Sequence, residues 1–357
     1  MTVAGVRRKI GGVGSLAAMT ALAGCIPSVA PPPSTTTPPP QQTRPYPEYR
    51  QDVSTPPAAP PAWESNPVAP DARMIATRTY RVEPGDTLRR IASKTGGGEL
   101  AIAKANGLVE PYVIRAGQVL TIPGGRYHEI ERGQTGIAIA RAYGVEWSRI
   151  VAANGLTEPY LLRTGWRLLI PGGDVPGMSS AAERAAAFTL DIDDLVTGSE
   201  PAIAENKAPA RATTSPSHVP APTTAVAAPA KLVGGFSWPV QGRVVAKFGS
   251  MGDGRRNDGI QIAAPVGTPV AAAADGVVAY AGTGIPSLGG LVILKHGDGW
   301  VTVYGNASSL LVKRGQSVKR GQRIALSGQT GSAPAPGVHF EVRKGRDPVD
   351  PLGKLPD

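Results

Sequence analysis

Alternation of hydrophobic and polar positions divides this chain into patterned blocks separated by quiet stretches. Between residues 80 and 125 a short run, "YRVEPG", reads as a strand, and "DTLRRIASKTG" reads as a helix opened by a Thr or Asp cap. "ELAIAKANG" follows as a second helix and "QVLTIP" as a closing strand, so the unit is βααβ. The same succession returns at a constant offset of 48 residues. Asn106-Gly107-Leu108 falls on Asn154-Gly155-Leu156, Glu110-Pro111-Tyr112 on Glu158-Pro159-Tyr160, and Ile122-Pro123-Gly124 on Ile170-Pro171-Gly172. Two copies of one unit, bounded at 76–125 and 126–173, are predicted. From Phe236 the pattern changes to short β runs broken by glycine turns, "GRVVAKFG", "TPVAAAADGVVAYAG", "LVILKHGDGWVTVYG", "SVKRGQRIALSG" and "GVHFEVRKG". Such spacing predicts an antiparallel all-β domain over 234–357, with Asp298-Gly299 at a tight hairpin.

The stretches between carry no periodicity. Residues 25–75 hold 15 of the 36 prolines and read as a disordered, partly polyproline tether. Residues 174–233, rich in Ala, Pro, Ser and Thr, read as a second disordered linker, with "SSAAERAAAF" able to form a short helix and "DIDD" an acidic, solvated patch. The fold class is therefore multidomain: two α+β units and one all-β domain on Pro- and Ala-rich linkers. The formal charge of +10 suits an anionic partner without choosing one. At the start, Arg7, Arg8 and Lys9 precede the apolar run "IGGVGSLAAMTALAG", the pattern of a cleaved export signal over residues 1–24. Export removes nucleic acid from the partner classes, although two short helices and a basic charge also suit a helix-turn-helix reader. The run ends in Leu22-Ala23-Gly24-Cys25, which resembles a bacterial lipobox, and implies a Cys25 that is lipidated and holds the chain to a membrane. With Ile26 next and no aspartate there, the expected address is the outer membrane of a Gram-negative cell, facing the periplasm. Cys25 is the only cysteine, so no disulfide forms within the chain.

The repeated unit resembles the LysM module, through "YRVEPGDTLRRIA", "IAKANGL" and "IRAGQVLTIP" in copy one and "IERGQTGIAIA", "IVAANGL" and "LRTGWRLLIP" in copy two. The resemblance implies binding of N-acetylglucosamine-containing glycan strands, peptidoglycan among them, in a groove between the first strand-helix loop and the second helix-strand loop. In copy one that groove would use Gly85, Asp86, Thr87, Leu108 and Ile114, and in copy two Gly133, Gln134, Thr135, Leu156 and Leu162. Copy two departs at Gly136, where copy one has Leu88, and a glycine in the first helical turn weakens helix and core.

The last domain resembles the LytM or lysostaphin-like zinc peptidases through "NDGIQIAAPVGTPVAAAADGVVAYAG", "LVILKHGDGWVTVYGNAS" and "PGVHFEVRKGRDPVDPLGKLP". That family holds zinc with a His-x-x-x-Asp pair and the second histidine of a His-x-His triplet. Carried over, the first ligand falls on Asn257, the Asp on Gln261, a catalytic histidine on Asn306, and the triplet on Gly337-Val338-His339. A catalytic zinc needs about three His, Cys or carboxylate ligands, and amides supply neither the affinity nor the field to activate water. No metal, cofactor or catalytic residue is expected. Asp253 and Asp258 are nearby carboxylates without the family's geometry, and His296 reads as structural. The combination resembles the NlpD/EnvC class of amidase activators, whose metal-free groove binds a periplasmic zinc amidase and licenses septal wall splitting. Asn257, Gln261, Asn306, Gly337 and His339 would lie along that groove, with Arg255, Arg256 and Arg343 as charged contacts. The alternatives are a divergent zinc endopeptidase and a structural tether between outer membrane and wall.

Overall fold

In the computed structural model the described residues are 60–172, 180, 183, 188–214, 220–251, 254 and 256–356. The export signal, Cys25, most of the first tether, Asp253 and Arg255 lie outside them.

Each repeat closes as strand, two helices and strand. Copy one is built from β2 (Arg78–Arg81), α2 (Leu88–Thr95), α3 (Glu99–Ala105) and β3 (Val119–Ile122), after a short helix α1 (Ala62–Ser65) and strand β1 (Arg73–Ile75). Copy two is built from β4 (Gly125–Glu129), α4 (Gly136–Tyr143), α5 (Trp147–Asn154) and β5 (Arg167–Ile170). Threonine, not aspartate, caps the first helix of each copy: Thr87 accepts from Arg90 N at 3.2 Å and Thr135 from Ala138 N at 3.0 Å. The Asn-Gly pairs end the second helices, with Gly107 at φ 62° and Gly155 at φ 65°. Both asparagines then clamp helix to closing strand, Asn106 exchanging two bonds of 2.8 Å with Thr121 and Asn154 two of 2.8 Å with Leu169.

The C-terminal domain is an antiparallel sheet of eight strands, β6 (Val244–Ala246), β7 (Ile260–Ala263), β8 (Gly276–Gly282), β9 (Gly290–Lys295), β10 (Trp300–Ala307), β11 (Ser317–Val318), β12 (Gly337–Lys344) and β13 (Asp347–Val349). Their order is β11-β8-β9-β10-β12-β7-β6, with β13 beside β12. The β9–β10 hairpin turns at Asp298 (φ 49°) and Gly299 (φ 70°), two left-handed residues of the kind a tight turn requires. Ile260, Ile262, Tyr304, Val338, Phe340 and Val342 fill the main core of this domain.

The quiet stretches are where the structure differs from the composition. Trp63, read as tether, is buried and stacks on Tyr280 at 5.9 Å, and β1 pairs with β4, completing the sheet of copy two as β1-β4-β5. "DIDD", read as a solvated patch of linker, opens a helix α6 (Ile192–Gly198) with Asp191 as cap and Asp194 completing a capping box. Leu195 and Val196 of α6 join Ile137 and Ala138 of α4, Trp63, and Ala279, Leu291, Ile293, Val301 and Val303 of the sheet in one buried cluster. Small residues make this possible. A Cβ on Gly136 would stand 2.6 Å from the Trp147 ring and one on Gly198 2.8 Å, so the indole, bonded to Thr197 at 3.1 Å, fits only between two glycines. Gly136 is thus a packing feature that replaces the Leu88 of copy one with Trp147 and α6.

Candidate functional site

The alternation of "GVHFEVRK" along β12 decides which side chains face outward. Val338, Phe340 and Val342 point into the core, which leaves His339, Glu341 and Arg343 on the opposite face. These three are linked in series. His339 Nε2 lies 2.9 Å from Glu341 Oε1, and Arg343 Nη1 donates to Glu341 Oε2 at 2.6 Å. Arg343 Nη2 reaches the Asp193 carboxylate of α6 and the Arg346 carbonyl at 2.7 Å, and Arg346 stands 3.6 Å from the same carboxylate. Glu341 and Arg343 are 2% and 4% exposed. Burial works against the Arg343 charge, but Glu341 and Asp193 outweigh it and raise its pKa. Removing one member of so buried a pair costs about 3–5 kcal/mol because the other is stranded without water.

A cleft of ≈ 400 Å³ lies along this face, with His339, Glu341, Arg343, Arg256, Asn257 and Leu288 on one side and Leu190, Ile192 and Asp193 on the other. The sequence-derived residues divide. His339 and Asn257 line the cleft, whereas the Asn257 side chain is tied to Lys247 O at 2.8 Å. Gln261 pairs across from His339, and its Nε2 is buried with no hydrogen-bond partner among the described residues. A Cβ on Gly337 would stand 2.4 Å from Ile262 O, so β7 approaches too closely for any side chain at that place. Asn306 is not among the residues that line the cleft. Held at φ 64° and 3% exposed, it donates to Thr330 O at 2.9 Å, and pins two loops together. Arg256 lines the cleft, where it bonds Asp258 at 3.2 Å and covers the Phe248 ring. His296 is buried away from this face between Asp275 O (2.8 Å) and Thr302 Oγ1 (2.6 Å), and burial lowers its pKa to about 4.

The donor set does not fit a catalytic zinc. One imidazole bonded to Glu341, the Asn257 amide tied to backbone and the neutral amide of Gln261 do not make the three-ligand site such an ion requires. Among the described residues no three of His, Cys, Asp and Glu converge on a metal-sized space. Sequence reasoning passed over Glu341, though the alternation of β12 aligns it with His339 and Arg343. It also passed over Asp193, which an acidic patch in an Ala- and Pro-rich stretch did not distinguish from solvated charge.

The grooves of the two repeats, superposable in sequence, differ in state. In copy one Gly85 and Thr87 are exposed, and Leu108, Ile114 and Asp86 are half-buried. Asp86 accepts from Tyr80 at 2.8 Å, from Glu83 N at 3.0 Å and from Lys94 at 3.0 Å. The Glu83 amide, then Tyr80 and Lys94, hold its carboxyl down at about 2. In copy two Gly133, Gln134, Thr135, Leu156 and Leu162 are all buried. His128 takes the place of Tyr80, bonding Gln134 at 2.9 Å and Tyr143 at 3.0 Å. Backbone of the stretch read as linker is seated against both loops of this groove. Gly133 N donates to Ala202 O at 3.0 Å, Ala202 N to Gln134 O at 2.7 Å, Ile203 N to Leu162 O at 3.2 Å, and Thr164 N to Ile203 O at 3.0 Å.

Comparison with known proteins gives two families. Residues 80–123 and 128–171 match the LysM domain, and residues 255–351 match Peptidase family M23. The lipoprotein YgeR of Escherichia coli is 32% identical over 289 residues, 80% of this chain and 84% of that protein. The murein hydrolase activator NlpD of Salmonella typhimurium is 29% identical over 291 residues, 80% of this chain and 70% of that protein. The cell division protein DipM of Caulobacter vibrioides is 47% identical over 129 residues, 34% of this chain, and the match spans only 21% of that protein's length.

Proposed function

The chain belongs to the family of the YgeR and NlpD lipoproteins, with two LysM domains ahead of a Peptidase family M23 domain, and on that premise we propose that it activates a wall-cleaving enzyme without cleaving wall itself. The partner in this reading is a periplasmic zinc amidase of the N-acetylmuramoyl-L-alanine type, and the outcome is septal wall splitting during division. The observation that carries it is the face of β12. A peptidase-type sheet presents His339 already bonded to Glu341 beside a cleft able to receive a segment of another protein, and the family resemblance assigns its metal-ligand positions to Asn257 and Gln261. Peptidoglycan strands are held by the LysM pair, through Gly85, Asp86, Thr87, Leu108 and Ile114 in copy one. Lipid on Cys25 places the whole at the outer membrane, on its periplasmic side. The names of the NlpD and DipM relatives support an activator of murein hydrolysis acting in division.

The test is dye release from labelled peptidoglycan by the full chain, alone and mixed with the same organism's periplasmic amidases, with zinc determined on the same sample. The full chain is the right material, because Trp63 and α6 cover one face of the sheet and an excised C-terminal domain would lose that cover. Expected are no release and no zinc alone, and stimulation of an amidase in the mixture. Arg256→Glu, which reverses a charge at the cleft edge, is expected to cut stimulation about tenfold without changing the melting temperature. Release by the chain alone with stoichiometric zinc would sink the reading in favour of an endopeptidase, and silence in every mixture would leave a tether.

A further inference from the structure

One continuous segment, Leu190–Glu205, walls one candidate site and fills the other. Its beginning faces the cleft, where Asp193 pairs with Arg343. Its end crosses the groove of copy two, where four backbone hydrogen bonds tie Ala202 and Ile203 to Gly133, Gln134, Leu162 and Thr164. Ala202 is 2% exposed and belongs to the core cluster of copy two. The Arg163 guanidinium fastens the exit by donating to the carbonyls of Ala204, Glu205 and Lys207 at 3.2, 3.0 and 2.8 Å, and Glu205 pairs with Arg89 of copy one. Among the described residues copy one shows no such cover, and a Cβ on Gly85 would meet nothing within 4 Å.

Between Asp193 and Ala202 the chain is mostly helix, and α6 is wedged by Gly198 against Trp147. Only Ser199, Glu200 and Pro201 join the end of α6 at Gly198 to Ala202, so moving Ala202 out of its seat by more than the slack of three residues pulls on α6. The backbone N–H and C=O groups of the Gly133–Gln134 and Leu162–Thr164 loops are able to bond a sugar's hydroxyl and acetamide groups, and here the chain's own backbone takes them.

We propose that residues 200–205 are a built-in occupant of the copy-two groove, and that a β-1,4-linked N-acetylglucosamine strand competes with them, so that glycan capture there withdraws α6 and opens the His339–Glu341–Arg343 face. This rests on the reading of the LysM grooves as glycan sites. Because the glycan in the copy-two groove and the amidase segment in the cleft both gain from displacing this one segment, each raises the other's affinity by the same factor. Copy one is then the standing anchor to the wall, and copy two reports that glycan is present at a density that fills a second site. The apparent affinity of copy two is its intrinsic affinity reduced by the fraction of molecules with the segment out.

The test is calorimetric titration of the full chain, in detergent, with chitohexaose, alongside hydrogen exchange of residues 192–198. The native chain is expected to show one strong site and a second at least tenfold weaker, with exchange in 192–198 rising only as the second fills. Ala202→Glu, which puts a charge in a sealed seat, is expected to bring the second site to within about threefold of the first. Asp193→Asn lies outside either LysM groove. It loosens only the other end of the segment, and is expected to tighten the second site about three- to tenfold. Two equal sites in the native chain overturn the proposal, as does a second site that Asp193→Asn and Ala202→Glu both leave unchanged, or exchange that stays flat while both sites fill. Absence of any chitohexaose binding, at copy one as well, overturns the glycan reading beneath it.

Discussion

The two LysM copies share a backbone and differ in what stands around it. In copy one, Tyr80, Glu83, Asp86 and Lys94 form a linked polar quartet at the groove, with Glu83 and Lys94 exposed and Tyr80 and Asp86 half-buried. In copy two the positions 48 residues on carry His128, Glu131, Gln134 and Ala142, and the Gln134 and His128 side chains are buried with Tyr143. Water is the better neighbour for the first set. For the second, where Gln134 and His128 are bonded to each other and to Glu131 and Tyr143, a packed protein surface costs little. The repeat therefore fixes the module, and a handful of exchanges fix whether its groove faces solvent or its own chain.

Copying Leu88 into copy two is the strongest way to break that contrast. Gly136→Leu is expected to lower stability by about 3 kcal/mol or more, since its side chain would need the space of the Trp147 ring, and thermal melting would show it as a large loss. Gly198→Ala presses on the same ring from α6, and about 1–2 kcal/mol is expected, seen as faster exchange in 192–198 while copy one keeps its protection. Both results depend on Trp147 holding its place, and a variant that melts like the native protein would show that it does not.

The docking of α6 also responds to pH. Burial first, then the neighbouring Asp191 and Asp193 charges, raise the Asp194 carboxyl to about 7, while its bond from the Asp191 amide and the Arg346 charge act the other way. The raised value means that the docked helix is favoured by the protonated form. Its stability is full below about pH 4 and falls by up to about 1.4 kcal/mol per unit as pH rises to about 7. Exchange of Leu195 and Val196 at pH 5, 6 and 7 measures the slope, and Asp194→Asn is expected to flatten it. The smallest effect belongs to copy one. Lys94→Ala removes an exposed cation, and a stability change within about 0.5 kcal/mol is expected in a denaturant titration, against several times that if the quartet were buried like its counterpart.

Much of this was legible before any coordinates. Repeat, caps, Asn-Gly stops and hairpin rest on residues a few positions apart, and the alternation of β12 aligns His339 with Glu341 and Arg343. The roles of single site residues were less legible. Asn306 looked like a groove residue but braces two loops, and Gly337 is a glycine because β7 passes 2.4 Å from its missing Cβ.

What the sequence determined by itself was the set of modules: two βααβ repeats and an antiparallel peptidase-type sheet, each announced by local periodicity and by motifs whose spacing is set along the chain. What only the tertiary structure decided was that the Ala- and Pro-rich stretch between them is a structural element. Most of its residues are small and give no hydrophobic pattern, and its one apolar run, from Phe188 to Val196, is short and interrupted by aspartates. Ala202, Gly198 and Asp193 acquire their places from Gln134, Trp147 and Arg343, partners 50 to 150 residues away, and no local rule can read a contact whose other half is so distant.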